Sequence, residues 1–285
     1  MAIGVIGGSG LYGMKELRVR KTQRIKTPFG APSDEYVFGR LNGKDVVFLP
    51  RHGRGHRILP SELNFRANIF GFKKIGVSRI ISVSAVGSLK EEIHPGHIVF
   101  PDQFIDRTFA RNSTFFGKGI VAHVSFADPV CKDLLKTTSE AAQRAGATVH
   151  TGGTYLNMEG PQFSTRAESR LYRSWGASVI GMTNLNEAKL AREAEICYVT
   201  IALSTDYDCW YEGEEEVSTA AILEVIRKNV EMSQKIIIEA VRDVGEGECP
   251  AGCHGMLANS ILTDPKKIPA KTKRDLKPVI GKYIR

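Results

Sequence analysis

The stretch Ile196-Cys197-Tyr198-Val199-Thr200-Ile201-Ala202-Leu203-Ser204-Thr205-Asp206-Tyr207-Asp208-Cys209-Trp210 sets the frame for this chain. Its apolar first half, 196–203, has the length and composition of a strand buried on both faces, as in α/β sheets. It ends abruptly in hydroxyls and two carboxylates. Ligands of α/β proteins gather at the carboxyl ends of such strands. Extended backbone through 208 puts Asp206 and Asp208 on the same side, able to address one ligand edge. A D-x-D pair also suits a helix cap or a solvated loop. A metal pair is the weaker reading, because no further clustered acids or paired histidines nearby complete a coordination shell.

Working outward, the same pattern recurs. An apolar run, 2–6, meets Gly7-Gly8-Ser9-Gly10, where backbone N–H groups and the Ser9 hydroxyl suit an anion. Gly8-Ser9-Gly10-Leu11-Tyr12-Gly13 also satisfies the bare G-x-G-x-x-G pattern, so a dinucleotide fold is a rival. The basic segment 15–27 that follows does not read as the βα unit which that fingerprint requires. Segments 36–41 and 45–49 read as strands joined by an Asn42-Gly43 hairpin turn. They lead into Pro50-Arg51-His52-Gly53-Arg54-Gly55-His56-Arg57. A guanidinium fork matches phosphate oxygens, so Arg51 with His52 is a candidate phosphate clamp; a solvated basic turn is the alternative. Ser61 is expected to cap a helix over 62–74, and 79–84 forms a strand that runs out into Ser82-Val83-Ser84-Ala85-Val86-Gly87-Ser88. Three strand ends thus carry small polar residues, which points to a site.

Strands are also expected over 97–100, 148–158 and 177–182, with helices over 130–144, from Thr165 to Trp175, over 184–194, and from 214 to about 241. His123, in the apolar setting of 120–126, reads as a structural histidine. Thr165 and Glu168 fit a capping box. Phe163, between the Gly160-Pro161 turn and that cap, can offer its face to a flat ligand.

The 285 residues suffice for one large α/β domain or two small ones, and neither a repeat nor a dividing linker is visible. The net charge of +8 favours anionic partners, but part of the excess sits in the tail 266–285. No nucleic-acid module accompanies it, so nucleic acid is not an expected partner. No stretch approaches the ~18 uninterrupted apolar residues of a membrane span, and no secretory signal is visible, so a cytoplasmic protein without a membrane partner is expected. Of five cysteines, Cys131, Cys197 and Cys209 fall in or beside predicted core elements, where a thiol acts as a small hydrophobe. Cys249-Pro250-Ala251-Gly252-Cys253-His254 could be a disulfide, a redox pair or half of a metal site. Zinc needs a second ligand pair, which the linear sequence does not offer, so no metal is expected.

Taken in order, Gly7-Gly8-Ser9-Gly10, Arg51-His52-Gly53-Arg54, Gly87-Ser88-Leu89, Phe104-Ile105-Asp106-Arg107-Thr108, Phe163-Ser164 with Arg166-Ala167-Glu168-Ser169, Met182-Thr183 and the segment Thr205 to Trp210 resemble the trimeric purine nucleoside phosphorylases. The resemblance runs from Ile3 to about Asn229. It implies a single α/β domain with a central mixed, twisted sheet flanked by helices on both faces. It also implies a phosphorylase domain over 1–245, with 246–285 a basic, cysteine-containing extension packed on it. Members acting on 6-oxopurines resemble one another in having asparagine at the base site. The aspartates here imply an adenine nucleoside, S-methyl-5′-thioadenosine first, split by inorganic phosphate. A broader 5′-deoxyadenosine or adenosine phosphorylase, a 6-oxopurine enzyme and a non-catalytic nucleoside sensor are the alternatives.

By the same resemblance, phosphate is held by Ser9, Arg51, His52, Ser84, the Ala85 backbone and Thr183. Asp206 addresses N7 of the base and Asp208 its 6-amino group, Phe163 stacks on the base, and Met182 packs on the ribose. Ser164, Thr219, Ile222 and Leu223 set the 5′-specificity, and His123 acts across a subunit boundary in a homotrimer, alone or as a dimer of trimers. Phosphate is a co-substrate, and no cofactor is implied. The chain departs from the family pattern at Gly181, Gln162 and Thr219, which bears on the 5′-substituent.

Overall fold

In the computed structural model, which describes residues 2–8, 10–212 and 219–284, the first strand, β1 (Ala2–Gly7), shows how the core is divided. Its Ile3 and Val5 cluster with Val46, Phe48, Ile81 and Val199 on one face of the sheet. Ile6 points the other way, with Val47, Leu49, Ile80 and Tyr198. Side chains alternating with a period of two require an apolar cover on both faces. Helices α1 (Phe65–Lys74) and α4 (Asn184–Glu193) provide one cover, and α2 (Lys132–Arg144) and α5 (Thr219–Asp243) the other.

The remaining strands are β2 (Arg18–Gln23), β3 (Tyr36–Leu41), β4 (Lys44–Pro50), β5 (Val77–Ser88), β6 (Ile98–Phe100), β7 (Gln103–Arg107), β8 (Val149–Thr151), β9 (Thr154–Met158), β10 (Val179–Gly181) and β11 (Cys197–Asp206). Among the described residues they make one mixed sheet of eleven strands, in the order β2-β3-β4-β1-β5-β10-β9-β7, with β11, β6 and β8 branching from β5. Strands β4, β1, β5 and β11 run parallel. Their carboxyl ends therefore emerge together, and these are the strand ends singled out by sequence. Strand β10 pairs antiparallel with the end of β5 and returns Met182-Thr183 towards them.

Several local expectations change. The Asn42-Gly43 hairpin stands, with both residues at positive φ, the conformation a two-residue turn demands. The cap of α1 is Asn64, whose side chain accepts from the Ala67 N–H; Ser61 lies in a 3-10 turn ahead of it. The expected strand 148–158 divides into β8 and β9 around Gly152 and Gly153, both at positive φ. The glycine-rich loop after β1 opens a 3-10 turn, Leu11–Gly13, and then the antiparallel edge strand β2. Among the described residues, the helix that a dinucleotide fingerprint needs does not follow that loop. Helix α3 (Arg166–Ser174) has the predicted capping box between Thr165 and Glu168.

Beyond α5 the chain forms the short helices α6 (Ala270–Asp275) and α7 (Lys277–Ile280). Leu276, Val279, Ile280 and Ile284 there are buried in the cluster under α1 and α4. No described helix is long and apolar enough to cross a membrane.

Candidate active site

At the end of β11 the pairing with β5 shifts register between Ser204 and Asp206. Asp206 is the last strand residue, and Asp208 already belongs to a 3-10 turn with φ +51°. The extended i, i+2 geometry expected for the pair is therefore wrong. The two acids are joined instead by a local bond, the Asp208 N–H donating to Asp206 Oδ1 at 2.8 Å. The Thr205 hydroxyl donates to Asp206 Oδ2 at 2.6 Å. Around the acids, Tyr207 and Trp210 turn inward as buried anchors, and the Trp210 indole donates to Ser88 O at 2.7 Å.

The environments of the acids differ. Asp206 is exposed. Asp208 is half-buried, and burial raises its carboxyl above the ordinary value, with the Asp206 charge adding to the effect. Its Oδ2 and the Ser169 Oγ are both buried, and the Ser169 hydroxyl favours the charged carboxylate, against the effect of burial. Gly87 lies directly beneath: a Cβ there would sit 3.1 Å from Asp206 Oδ1 and 3.2 Å from the Asp208 Cβ.

On the other side of the strand ends, Arg51 follows β4 and is 3% exposed. It is not the free fork that the sequence suggests. Nε bonds Glu187 Oε1 at 2.5 Å, Nη2 bonds Glu187 Oε2 at 3.2 Å and Ser82 Oγ at 2.6 Å, and Nη1 bonds Val83 O at 2.8 Å. Arginine has five N–H donors, so one, on Nη1, is left. Burial disfavours the charge of Arg51, but Glu187 outweighs it and the guanidinium is held above its ordinary value. His52 Nδ1 donates to Ile58 O at 2.8 Å and its ring stacks on His56. Burial, and then the Arg51 charge, bring the imidazole down to about 4. Neutral His52 thus presents Nε2 as an acceptor.

Ser84 is buried, 3.4 Å from the Tyr155 hydroxyl, and the adjacent Ala85 is exposed. Thr183 is buried at the N-cap of α4 without a side-chain capping bond, so a helix N-terminus faces the same corner. The departure at Gly181 has a plain cause: a Cβ there would meet the Tyr155 hydroxyl at 1.9 Å.

Met182 is half-buried, and its carbonyl accepts from Arg111 Nη1. Phe163 is 83% exposed. Ser164 is half-buried, its carbonyl bound by the Cys209 thiol at 3.2 Å. His123 is exposed and its N–H donates to Ser260 O in the tail. Ser9 lies outside the described residues, as do the side chains of Thr219, Ile222 and Leu223, whose backbone belongs to α5.

Sequence reasoning overlooked Glu187, Asn184, Arg111 and Tyr155. The Asn184 amide nitrogen lies within hydrogen-bond reach of Ser82, Tyr198 and Thr200, in the same buried network as Glu187. Arg111 pairs with Glu159 at 3.1 Å and reaches Asn186 Oδ1. One signal was available: Asn184, Asn186 and Glu187 crowd the first turn of a helix that begins beside Met182-Thr183.

The thiols are also regrouped. Cys131 at the N-cap of α2 and Cys197 at the start of β11 face Cys249 and Cys253, and all four are buried with their sulfurs within 4.8 Å of one another. The second ligand pair missing from the linear sequence is thus supplied by the fold.

The model of the phosphorylase superfamily matches residues 2–242. The chain is 64% identical, over 99% of both chains, to the S-methyl-5′-thioadenosine phosphorylase of Geobacter sulfurreducens. It is 58% identical to that of Koribacter versatilis, over 99% of this chain and 96% of the relative. Among solved structures it resembles a methylthioadenosine phosphorylase from an Antarctic soil metagenomic library, with TM-score 0.93 and 48% identity over 97% of this chain and 98% of that one. It also resembles the methylthioadenosine phosphorylase of Schistosoma mansoni in complex with adenine, with TM-score 0.85 and 35% identity over 92% and 99% of the two chains. With matches of this length and identity, the chain belongs to the phosphorylase superfamily and, within it, to the S-methyl-5′-thioadenosine phosphorylase family.

Proposed function

We propose that the protein catalyses phosphorolysis of S-methyl-5′-thioadenosine to adenine and 5-methylthioribose 1-phosphate. One observation carries the reading: an acid pair and a basic, helix-capped corner sit at the ends of the same parallel strands. Phosphate oxygen attacks the anomeric carbon, the C1′–N9 bond breaks, and its electron pair passes into the purine. Asp206 serves N7, which gains basicity as the bond breaks; a proton passed from the Asp206 carboxyl to N7 lets the base leave as neutral adenine and leaves the carboxylate behind. Asp208 accepts from the 6-amino group through its buried Oδ2, which offsets part of the cost of its burial.

Phosphate rests against the last Nη1 donor of Arg51, the Ser84 and Thr183 hydroxyls, the Ala85 N–H, the N-terminus of α4 and, by the family resemblance, Ser9. Neutral His52 accepts a hydrogen bond from a hydrogen phosphate through Nε2. Phe163 stacks on the base and Met182 on the ribose, while Ser164 with Thr219, Ile222 and Leu223 forms the 5′-pocket. Phosphate is the co-substrate and no cofactor takes part in the reaction.

A homotrimer belongs to the same proposal. Phe109, Phe163, Leu171 and Trp175 are large apolar side chains left exposed on segments bordering the site, which supports cover by a neighbouring subunit that brings its His123. We also take 246–285 to be an extension of the phosphorylase domain, and the enzyme to serve purine and methionine salvage in the cytoplasm. The test is adenine release from S-methyl-5′-thioadenosine, 5′-deoxyadenosine, adenosine and inosine, with and without phosphate. Phosphate-dependent turnover with the highest kcat/KM on the methylthio substrate is expected. Equal kcat/KM on 5′-deoxyadenosine would mean a broader enzyme, inosine as the better substrate would overturn the base assignment, and binding without turnover would leave a sensor.

A further inference from the structure

The buried thiols far from the active site are arranged for a ligand of their own. Cys131 and Cys197 come from the main fold, where the Cys131 N–H donates to Tyr198 O at 3.0 Å and fixes the two residues side by side. Cys249 and Cys253 come from the tail, in a tight turn that Gly252 makes possible at φ +74°. All four are free thiols, and each sulfur lies within 4.8 Å of every other. The Cys131 and Cys249 sulfurs are 3.6 Å apart. Two disulfides call for two separate close pairs, whereas here four sulfurs converge on one point. A zinc ion with bonds of about 2.3 Å in tetrahedral geometry holds its thiolates about 3.8 Å apart, and the observed spacing suits one such ion.

We propose that Cys131, Cys197, Cys249 and Cys253 form a closed, structural zinc site that fastens the C-terminal extension to the sheet. The surroundings suit four thiolates. The Leu134 N–H donates to Cys131 Sγ at 3.4 Å, and His254 Nε2 lies 3.6 Å from Cys197 Sγ. Hydrogen bonds of this kind orient metal ligands and moderate their charge. Zinc is selected over harder divalent ions by an all-sulfur donor set, and four protein ligands leave no position for a substrate. Binding releases the thiol protons to solvent and changes no oxidation state. Cys197 opens β11 and Asp206 closes it, which at strand rise puts the site roughly 30 Å from the acids. Its role is therefore to hold the fold. In addition, Arg79 Nη2 bonds Gly247 O at 3.0 Å, a second tie at the start of the same segment.

The test is elemental analysis and native mass spectrometry of the full-length protein, purified with reductant and without affinity metals. About one zinc per chain is expected. Replacement by cobalt should give the visible bands of tetrahedral coordination with intense thiolate-to-metal charge transfer. Cys249→Ser combined with Cys253→Ser should lose the zinc and lower Tm by roughly 5 °C or more, while Cys209→Ser should keep full zinc. Protein that is metal-free and takes up neither zinc nor cobalt under reducing conditions overturns the proposal, as does recovery of these cysteines as two disulfides. Zinc retained in the double serine variant would place the ion elsewhere and overturn it equally. The wild-type measurements decide even if the variant fails to fold.

Discussion

Replacing Asp206 with Asn keeps its size and removes the carboxyl proposed to exchange a proton with N7. Turnover of the methylthio substrate should fall by about 10²-fold or more with unchanged circular dichroism; near-normal kcat would remove Asp206 from the chemistry. Another carboxyl governs a different property. Burial raises Glu193 to about 7, from an ordinary value of 4.5, against hydrogen bonds from Thr114 and Phe115. Between those two values the folded chain binds more protons than the unfolded one, so Glu193 costs stability as pH rises through that window, and the loss levels off above it. Glu193→Gln removes this titration. Its Tm relative to wild type should climb from pH 5 to pH 7 and then run parallel, and a pH-independent difference would refute the assignment.

The start of α4 acts as a unit, with the buried Arg51–Glu187 pair as its fixing point. Removing one partner strands a buried charge, so Glu187→Gln or Arg51→Met alone should cost about 3 to 5 kcal/mol. The Arg51→Met, Glu187→Met pair should recover much of that stability in a denaturant titration without restoring phosphate-dependent turnover. Additive losses in the double variant would argue against the coupling. At the end of β10, Gly181 and Tyr155 compete for one volume. Gly181→Asn, the change towards the family pattern, should destabilise by about 1 to 3 kcal/mol through overpacking and displace Met182-Thr183. Adding Tyr155→Val should relieve it, and a fully stable, active Gly181→Asn single variant would contradict the packing.

For the whole molecule, the exposed Phe109, Phe163, Leu171 and Trp175 lead to an expectation in solution. Light scattering should give three times the 31.4 kDa chain mass, and dilution into monomer should abolish activity together with the assembly; an active monomer would rule out a shared site. The apolar runs 2–6 and 196–203, the Asn42-Gly43 turn and the Thr165–Glu168 box were legible because their determinants lie within a few residues: side-chain period, positive φ and a local cap. The placement of two carboxyls at the end of a buried strand was legible too, because the apolar run 196–203 stops just ahead of them. The conformation of Asp208 was not, because the register shift beside β5 decides it. Nor was the engagement of Arg51, whose partner Glu187 lies 136 residues away, or the meeting of Cys131 with Cys249 across 118 residues. By itself the sequence determined the α/β class, most of the elements in it and the kinds of groups at the strand ends, all set by local periodicity and residue chemistry. Which carboxyl is buried, which guanidinium donors are already taken and which thiols share one point were decided only by tertiary structure, because burial and long-range pairing exist only once the sheet has brought distant segments together.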